Sequence, residues 1–398
     1  MTASNPAPLN DTNNDTNGYR PEPVVLTALD GFLLSGTLFL PPESVVAGTA
    51  DASTTPGSPA GNGPINLAAG AKHKQDSDRL TKVVIISSAT ATIQDFYYKF
   101  AQYLSQELGM IVLTYDNRGV GRSMPNSEDL VRLKAKFEDR SKAQSSPGTG
   151  QSQDIKKEAK KKQNPLIGFQ ATIVDWAMQD LPGVFNFLLE RYPKNPTFYV
   201  GHSVGGHILP AIDPYYTRNL ERCLFVSVTS AYWRNMNSPL FTYWFFYFAS
   251  PLVNSRYGYY PGKTLWGAME DLPKGCFETW SYWGSFRDYM LGGNPEWKPN
   301  FELFKVPIYS LYFSDDDFSR TSAPHIMELI PNTLRKCVRV DPVKDLNMKK
   351  VGHMGFFFNS CKQKLWKTAV KSWFVDGQAL DHENIKEQAA VESSYARL

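Results

Sequence analysis

Gly201-His202-Ser203-Val204-Gly205 is the stretch of this chain best equipped for chemistry. It follows the apolar run Thr197-Phe198-Tyr199-Val200, which reads as a buried strand, and precedes Gly206-His207-Ile208-Leu209, which can open a helix. A serine on such a strand-to-helix turn is thrust out where it can attack an acyl group. Glycines two places before and after it let the strand and helix backbones pass closely. The turn also frees the Val204 N–H to stabilise an oxyanion. A serine nucleophile needs a base and a group to orient that base. Among six histidines, His353 has the best setting, in the glycine-flanked loop Val351-Gly352-His353-Met354-Gly355. His73 and His382 lie in polar segments, His202 packs inside the turn, His207 is expected in the core and His325 on the surface. For the carboxylate, the strand-like Val306–Phe313 runs into Ser314-Asp315-Asp316-Asp317-Phe318. A carboxylate there could hold the imidazole in the tautomer that accepts the serine proton.

The elements around these residues can be read from the same sequence. Lys82–Ser87 reads as a strand and Ser88-Ala89-Thr90 as the loop after it, before a helix from about Asp95 to Leu108. That loop is placed to give the second oxyanion donor, with the Thr90 amide preferred and Ala89 as the alternative. Glu22–Leu40 reads as a hairpin turning at Asp30-Gly31. Phe169–Arg191 has helical spacing, and Leu224–Val228 forms the next strand. A last helical segment is expected around Lys364–Phe374.

Thr114-Tyr115-Asp116-Asn117-Arg118-Gly119-Val120-Gly121-Arg122-Ser123 resembles the D-x-R-G-x-G-x-S turn of the α/β-hydrolase superfamily. With the serine turn, the acidic cluster and the histidine loop, the chain resembles serine hydrolases of the esterase and lipase type over about residues 23–375. Ser230–Arg234 and Val351–Phe356 are similar to a group of predicted bacterial α/β-hydrolases of undefined substrate. The resemblance implies an α/β fold with a mostly parallel central sheet flanked by helices and a cap insertion. It implies the chain order serine, acid, histidine, hence Ser203, Asp316 and His353, with Asp315 and Asp317 as alternatives for the acid. It implies that Asp116 and Arg118 fix their turn by ion pairing. The expected activity is ester hydrolysis through an acyl-enzyme, without cofactor or metal. Thioester or amide hydrolysis and acyl transfer use the same groups, and a non-catalytic binding scaffold is the alternative of another class.

Composition is compatible with this reading. The chain has 398 residues, 42% hydrophobic and 20% charged, which suits a globular protein. A net charge of +3 gives no reason to expect a nucleic-acid partner. Four scattered cysteines read as reduced thiols, without metal-ligand spacing. Residues 1–21 read as a disordered tail without a secretory leader, so a cytoplasmic location is the expectation. Polar insertions are expected near 41–80 and 125–164, a cap near 232–299 and a mobile polar tail over 376–398. The cap holds six of the nine tryptophans and the apolar run Pro239–Val253, too short to span a membrane. That run is expected to cover the site, with contact to a membrane surface as the other use of it. Trp244 and Phe245 are the expected substrate-binding residues, lining a pocket for an apolar acyl or alkyl group of a small-molecule ester.

Overall fold

The central strands of this chain are almost wholly apolar, as strands buried on both faces must be. In a computed structural model, which describes residues 21–42, 80–126, 128, 135, 164–267, 269–318 and 321–395, eight strands form one sheet. β1 (Glu22–Thr27) and β2 (Leu33–Phe39) make the N-terminal hairpin, and Gly31 takes its turn at φ 87°. β3 (Val83–Ser87), β4 (Ile111–Tyr115), β5 (Thr197–His202) and β6 (Leu220–Val226) follow, then β9 (Ile308–Phe313) and β10 (Arg335–Val340). A separate short hairpin, β7 (Tyr259–Tyr260) with β8 (Leu272–Pro273), lies between β6 and β9. The sheet order is β1-β2-β4-β3-β5-β6-β9-β10. Only β2 runs antiparallel to its neighbours; every other pairing is parallel.

Successive side chains of a strand point to opposite faces, and this builds two cores. Val83, Ile85 and Tyr199 face one side with Trp176, Leu181, Val184 and the helix α2 (Leu181–Arg191). Val84, Ile86, Phe198 and Val200 face the other with α1 (Tyr98–Gln106), Trp366, Trp373 and Phe374. The segment leading into α2 widens to a π-type turn over Trp176–Asp180. The helix after β5 is α3 (Val204–Ile208). The excursion between β6 and β9 carries α4 (Pro239–Trp244), a π-type turn over Phe245–Ala249, α5 (Ser250–Tyr257) and α6 (Lys274–Trp283). α7 (Ala323–Glu328) follows β9.

Two expectations need correction. The segment after Val375 is not a loose tail: α8 (His382–Tyr395) packs on Lys362–Val370 and buries Ile385 and Ala389. The backbone before it is tied down, because the Tyr309 hydroxyl donates to the Leu380 carbonyl at 2.9 Å and Lys336 Nζ to that of Ala379 at 2.8 Å. Asp116 and Arg118 do not pair with each other. Asp116 is buried and accepts from Gln94 N at 2.7 Å, Gln94 Nε2 at 3.0 Å and Arg122 N at 3.0 Å. Arg118 forks between Asp180 (Nε to Oδ1, 2.7 Å) and Asp30 (2.6 and 2.9 Å), pinning the hairpin turn to the π-type turn. The expected N-terminal tail and most of the two polar insertions lie outside the described residues.

Candidate active site

The serine turn is built by close backbone approach. Ser203 sits at φ 51°, ψ −116°, a conformation that costs a non-glycine residue about 1–3 kcal/mol. A Cβ on Gly201 would lie 2.6 Å from the Gly206 Cα, and one on Gly205 would lie 2.3 Å from the Ser87 carbonyl oxygen. Neither contact can relax without moving backbone, so both positions must be glycine. The Ser203 N–H donates to the Val226 carbonyl at 3.1 Å, and its carbonyl accepts from Gly206 N at 3.0 Å. The strain therefore stays locked while the side chain remains partly exposed at the carboxyl end of β5.

Sheet order and turn together decide the architecture: a single antiparallel strand in second place, a crossover between β4 and β3, and a strained serine after the central β5. This is the α/β-hydrolase fold. The aromatic-rich excursion occupies the place between β6 and β9 where this fold carries its insertion.

The acid cluster follows β9, and its consecutive carboxylates go three ways. Asp316 is fully buried and its Oδ2 lies 2.8 Å from His353 Nδ1. Its Oδ1 accepts from Phe318 N at 2.8 Å, so the carboxylate is held at both ends. Asn237 Nδ2, from the excursion, donates to the Asp316 carbonyl at 2.8 Å. Asp315 accepts from Val351 N and Gly352 N, both at 2.9 Å, and so clamps the histidine loop. Gly352 meets this clamp at φ 62°. Asp317 is exposed and pairs with Lys350 at 2.9 Å. Asp315 thus binds the histidine loop, a role that no local pattern announces.

His353 is buried against Phe318, their rings 4.7 Å apart, and against His202, at 5.3 Å. Among the described residues no hydrogen bond joins Ser203 Oγ to His353. His202 supplies a connection that sequence reasoning missed. One of its ring nitrogens, Nε2, lies 3.0 Å from the His353 carbonyl, and the other, Nδ1, lies 2.9 Å from the Tyr97 hydroxyl. Tyr97 in turn accepts from Ala89 N at 2.8 Å. For every member to be satisfied, Tyr97 donates to Nδ1 and Nε2–H donates to the His353 carbonyl. One hydrogen-bonded chain thus runs from the loop after β3, through the residue before Ser203, to the histidine loop. It also removes Ala89 as an oxyanion donor, because its amide is already taken. The Thr90 amide makes no hydrogen bond among the described residues, and Val204 opens α3, where an N–H has no partner in its own helix.

Burial drives the His202 imidazole well below its ordinary range, with proximity to His353 acting in the same direction. His207, on α3, is pushed down to about 3 by burial, although its Nε2–H donates to the Thr229 carbonyl at 3.1 Å. A histidine whose folded pKa lies below its unfolded 6.5 loses stability as pH falls through 6.5 toward 3, because only the unfolded chain takes up the proton. Between pH 7 and 5 this amounts to about 2 kcal/mol for His207. His207→Leu should therefore flatten the fall in urea-unfolding free energy over that range by this amount; an unchanged slope would reject the assignment.

Beside Phe318 an apolar cavity of about 300 Å³ is lined by Phe241, Phe245, Phe246, Trp266, Trp280 and Met269, with Asn237 and Asp317 at its polar edge. Phe245 is among the residues that line this cavity. Trp244 is not: it is 54% exposed, with its ring 6.1 Å from that of the rim residue Phe241.

No family model matches the chain, and no curated protein matches it. Among solved structures it is similar to an esterase from Pyrococcus furiosus, at 11% identity and a TM-score of 0.41, over 96% of this chain and 94% of that one. It is also similar to the esterase domain of a Rhodothermus marinus protein, at 10% identity and 0.41, over 95% and 98%. A lipase-esterase related protein from Clostridium acetobutylicum is similar at 11% and 0.38, over 70% and 90%. The fold rests on the sheet order and the serine turn rather than on these likenesses.

Proposed function

We propose that this α/β-hydrolase-fold protein is a serine hydrolase that cleaves a carboxylic ester with an apolar acyl or alkyl group. The observation that carries the reading is the His353–Asp316 contact of 2.8 Å, on a buried carboxylate, beside the strained Ser203 turn. Ser203 Oγ attacks the ester carbonyl while His353 Nε2 takes its proton. Asp316 keeps Nδ1–H in place and stabilises the imidazolium that forms. The Val204 and Thr90 amides hold the oxyanion of the tetrahedral intermediate. Collapse expels the alcohol, which takes the proton from His353 and leaves the acyl group on Ser203. Water, deprotonated by His353, then releases the acid and regenerates the serine.

The apolar cavity beside Phe318 supports an apolar acyl or alkyl group over a charged one. Purified protein assayed with acyl esters of graded chain length should favour longer chains, gaining up to about 0.8 kcal/mol per buried CH₂. Phe245→Ala should depress kcat/KM for long-chain esters more than for acetyl esters, and Trp244→Ala should leave the preference unchanged. Absence of turnover with every ester would reject the reading; equal losses at all chain lengths would reject the pocket.

A further inference from the structure

The excursion over the candidate site turns large apolar side chains to the outside. Leu240, Trp244, Phe248 and Leu252 recur every four residues and are 79%, 54%, 61% and 74% exposed. A four-residue repeat drifts around an ordinary helix of 3.6 residues per turn. The π-type turn over Phe245–Ala249 is wider and offsets much of that drift, keeping the stripe near one face. Single exposed apolar residues are ordinary, but an exposed stripe of this kind marks an interaction surface. The inner side of the same helix behaves differently: Phe241 and Phe245 line the cavity beside Phe318. Trp266, itself half exposed, lines that cavity too, so the cavity borders the outer surface.

Charge singles out the occupant. Between Glu221 and Glu270 the chain has no aspartate or glutamate. The exposed charges of residues 222–269 are Arg234, stacked on Trp233 at 4.8 Å, Arg256, and Lys263, which pairs with Glu270 at 2.8 Å. Two copies meeting about a two-fold axis would bring Arg234 and Arg256 of both copies together, which like charges oppose. An anionic lipid surface matches both properties: acyl chains for the leucines and aromatic rings, headgroups for the arginines. No helix among the described residues is long and apolar enough to cross a membrane, so the segment would lie in the interface plane.

We propose that Pro239–Tyr257 docks flat on an anionic bilayer and places the cavity mouth against the lipid. Docking stands independently of the hydrolase reading; only the delivery of lipid-borne esters to Ser203 rests on it. The test is co-sedimentation of the full chain with vesicles of phosphatidylglycerol and phosphatidylcholine, and with phosphatidylcholine alone. The wild type should sediment with the anionic vesicles and much less with the neutral ones. Leu240→Glu with Leu252→Glu should weaken binding about tenfold or more, with unchanged circular dichroism and unchanged turnover of a soluble acetyl ester. Wild type that stays in the supernatant, equal binding to both vesicles, or a double variant that binds as well would each overturn docking. So would ultracentrifugation showing a dimer that the double variant dissociates, which would assign the face to a second copy. Vesicle binding without turnover of any ester leaves docking standing and overturns the hydrolase reading alone.

Discussion

Ser203→Ala should lower ester turnover by about 10³- to 10⁶-fold while the protein stays folded, the range expected when a nucleophile is removed from a set of groups that act together. Alanine keeps the Cβ that the turn already accommodates at φ 51° and deletes only the hydroxyl. The turn is held by the Ser203 backbone and by the glycines around it, so unfolding should not confound the result. A fluorophosphonate probe should label the wild type at Ser203 and leave the variant unlabelled. A folded variant that turns over at close to the wild-type rate would remove Ser203 from the chemistry and assign the turnover to another group, whereas a wild type that neither turns over nor takes the probe would leave the fold as a binding scaffold.

The second large effect discriminates among consecutive carboxylates. Asp316→Asn keeps the side-chain shape, but one of the two oxygens becomes an NH₂ group. If that group faces His353 Nδ1, the ring must present a lone pair there and its proton moves to Nε2, the wrong tautomer for accepting a proton from serine. The expected loss is up to about 10⁴ in kcat. Asp317→Asn breaks only an exposed pair with Lys350, of the kind that contributes about 0–1 kcal/mol, and should leave kcat unchanged. Asp315→Asn is intermediate. It leaves one acceptor for the two N–H groups of Val351 and Gly352, loosens the histidine loop, and should show as a lower thermal midpoint with a modest loss of rate. Measured side by side, an Asp315 or Asp317 variant more damaged in kcat than Asp316→Asn would mean that the carboxylate facing His353 is not the one that orients it.

The part of this architecture that is legible in the sequence is the part that local pattern encodes. The serine turn shows because glycine is the only residue that fits at 201 and 205, and its flanking strand is apolar on both faces. The hairpin at Asp30-Gly31 and the strand before the acid cluster are legible for similar reasons. What stayed hidden depends on partners far apart in sequence. Asp315 finds its donors 36 and 37 residues away, and Tyr97 meets His202 at a separation of 105. Nothing near Ala89 says that its amide is spent on a tyrosine. The polar look of residues 376–398 was misleading, since a few apolar residues, Ile385 and Ala389 among them, suffice to seat α8. Trp244 was misplaced because composition tells which segment is aromatic, not which way a given ring turns.

The helices that close the second face of the sheet have a consequence for how the chain is made. Phe39, Val84, Phe198 and Leu224 share a core with Trp366, Trp373, Phe374 and Ile385, which the ribosome delivers well after them. A chain extends at about 5–20 residues per second. For the seconds between the emergence of β5 and of α8, the second face of the nascent sheet is therefore covered only in part, by α1. His353 arrives in the same late interval, so the site and the core behind it are completed together. A folding helper that shields hydrophobic nascent chains should consequently matter more for the yield of this protein than for its stability once released, and pauses engineered before residue 350 should lower yield more than pauses placed after 389.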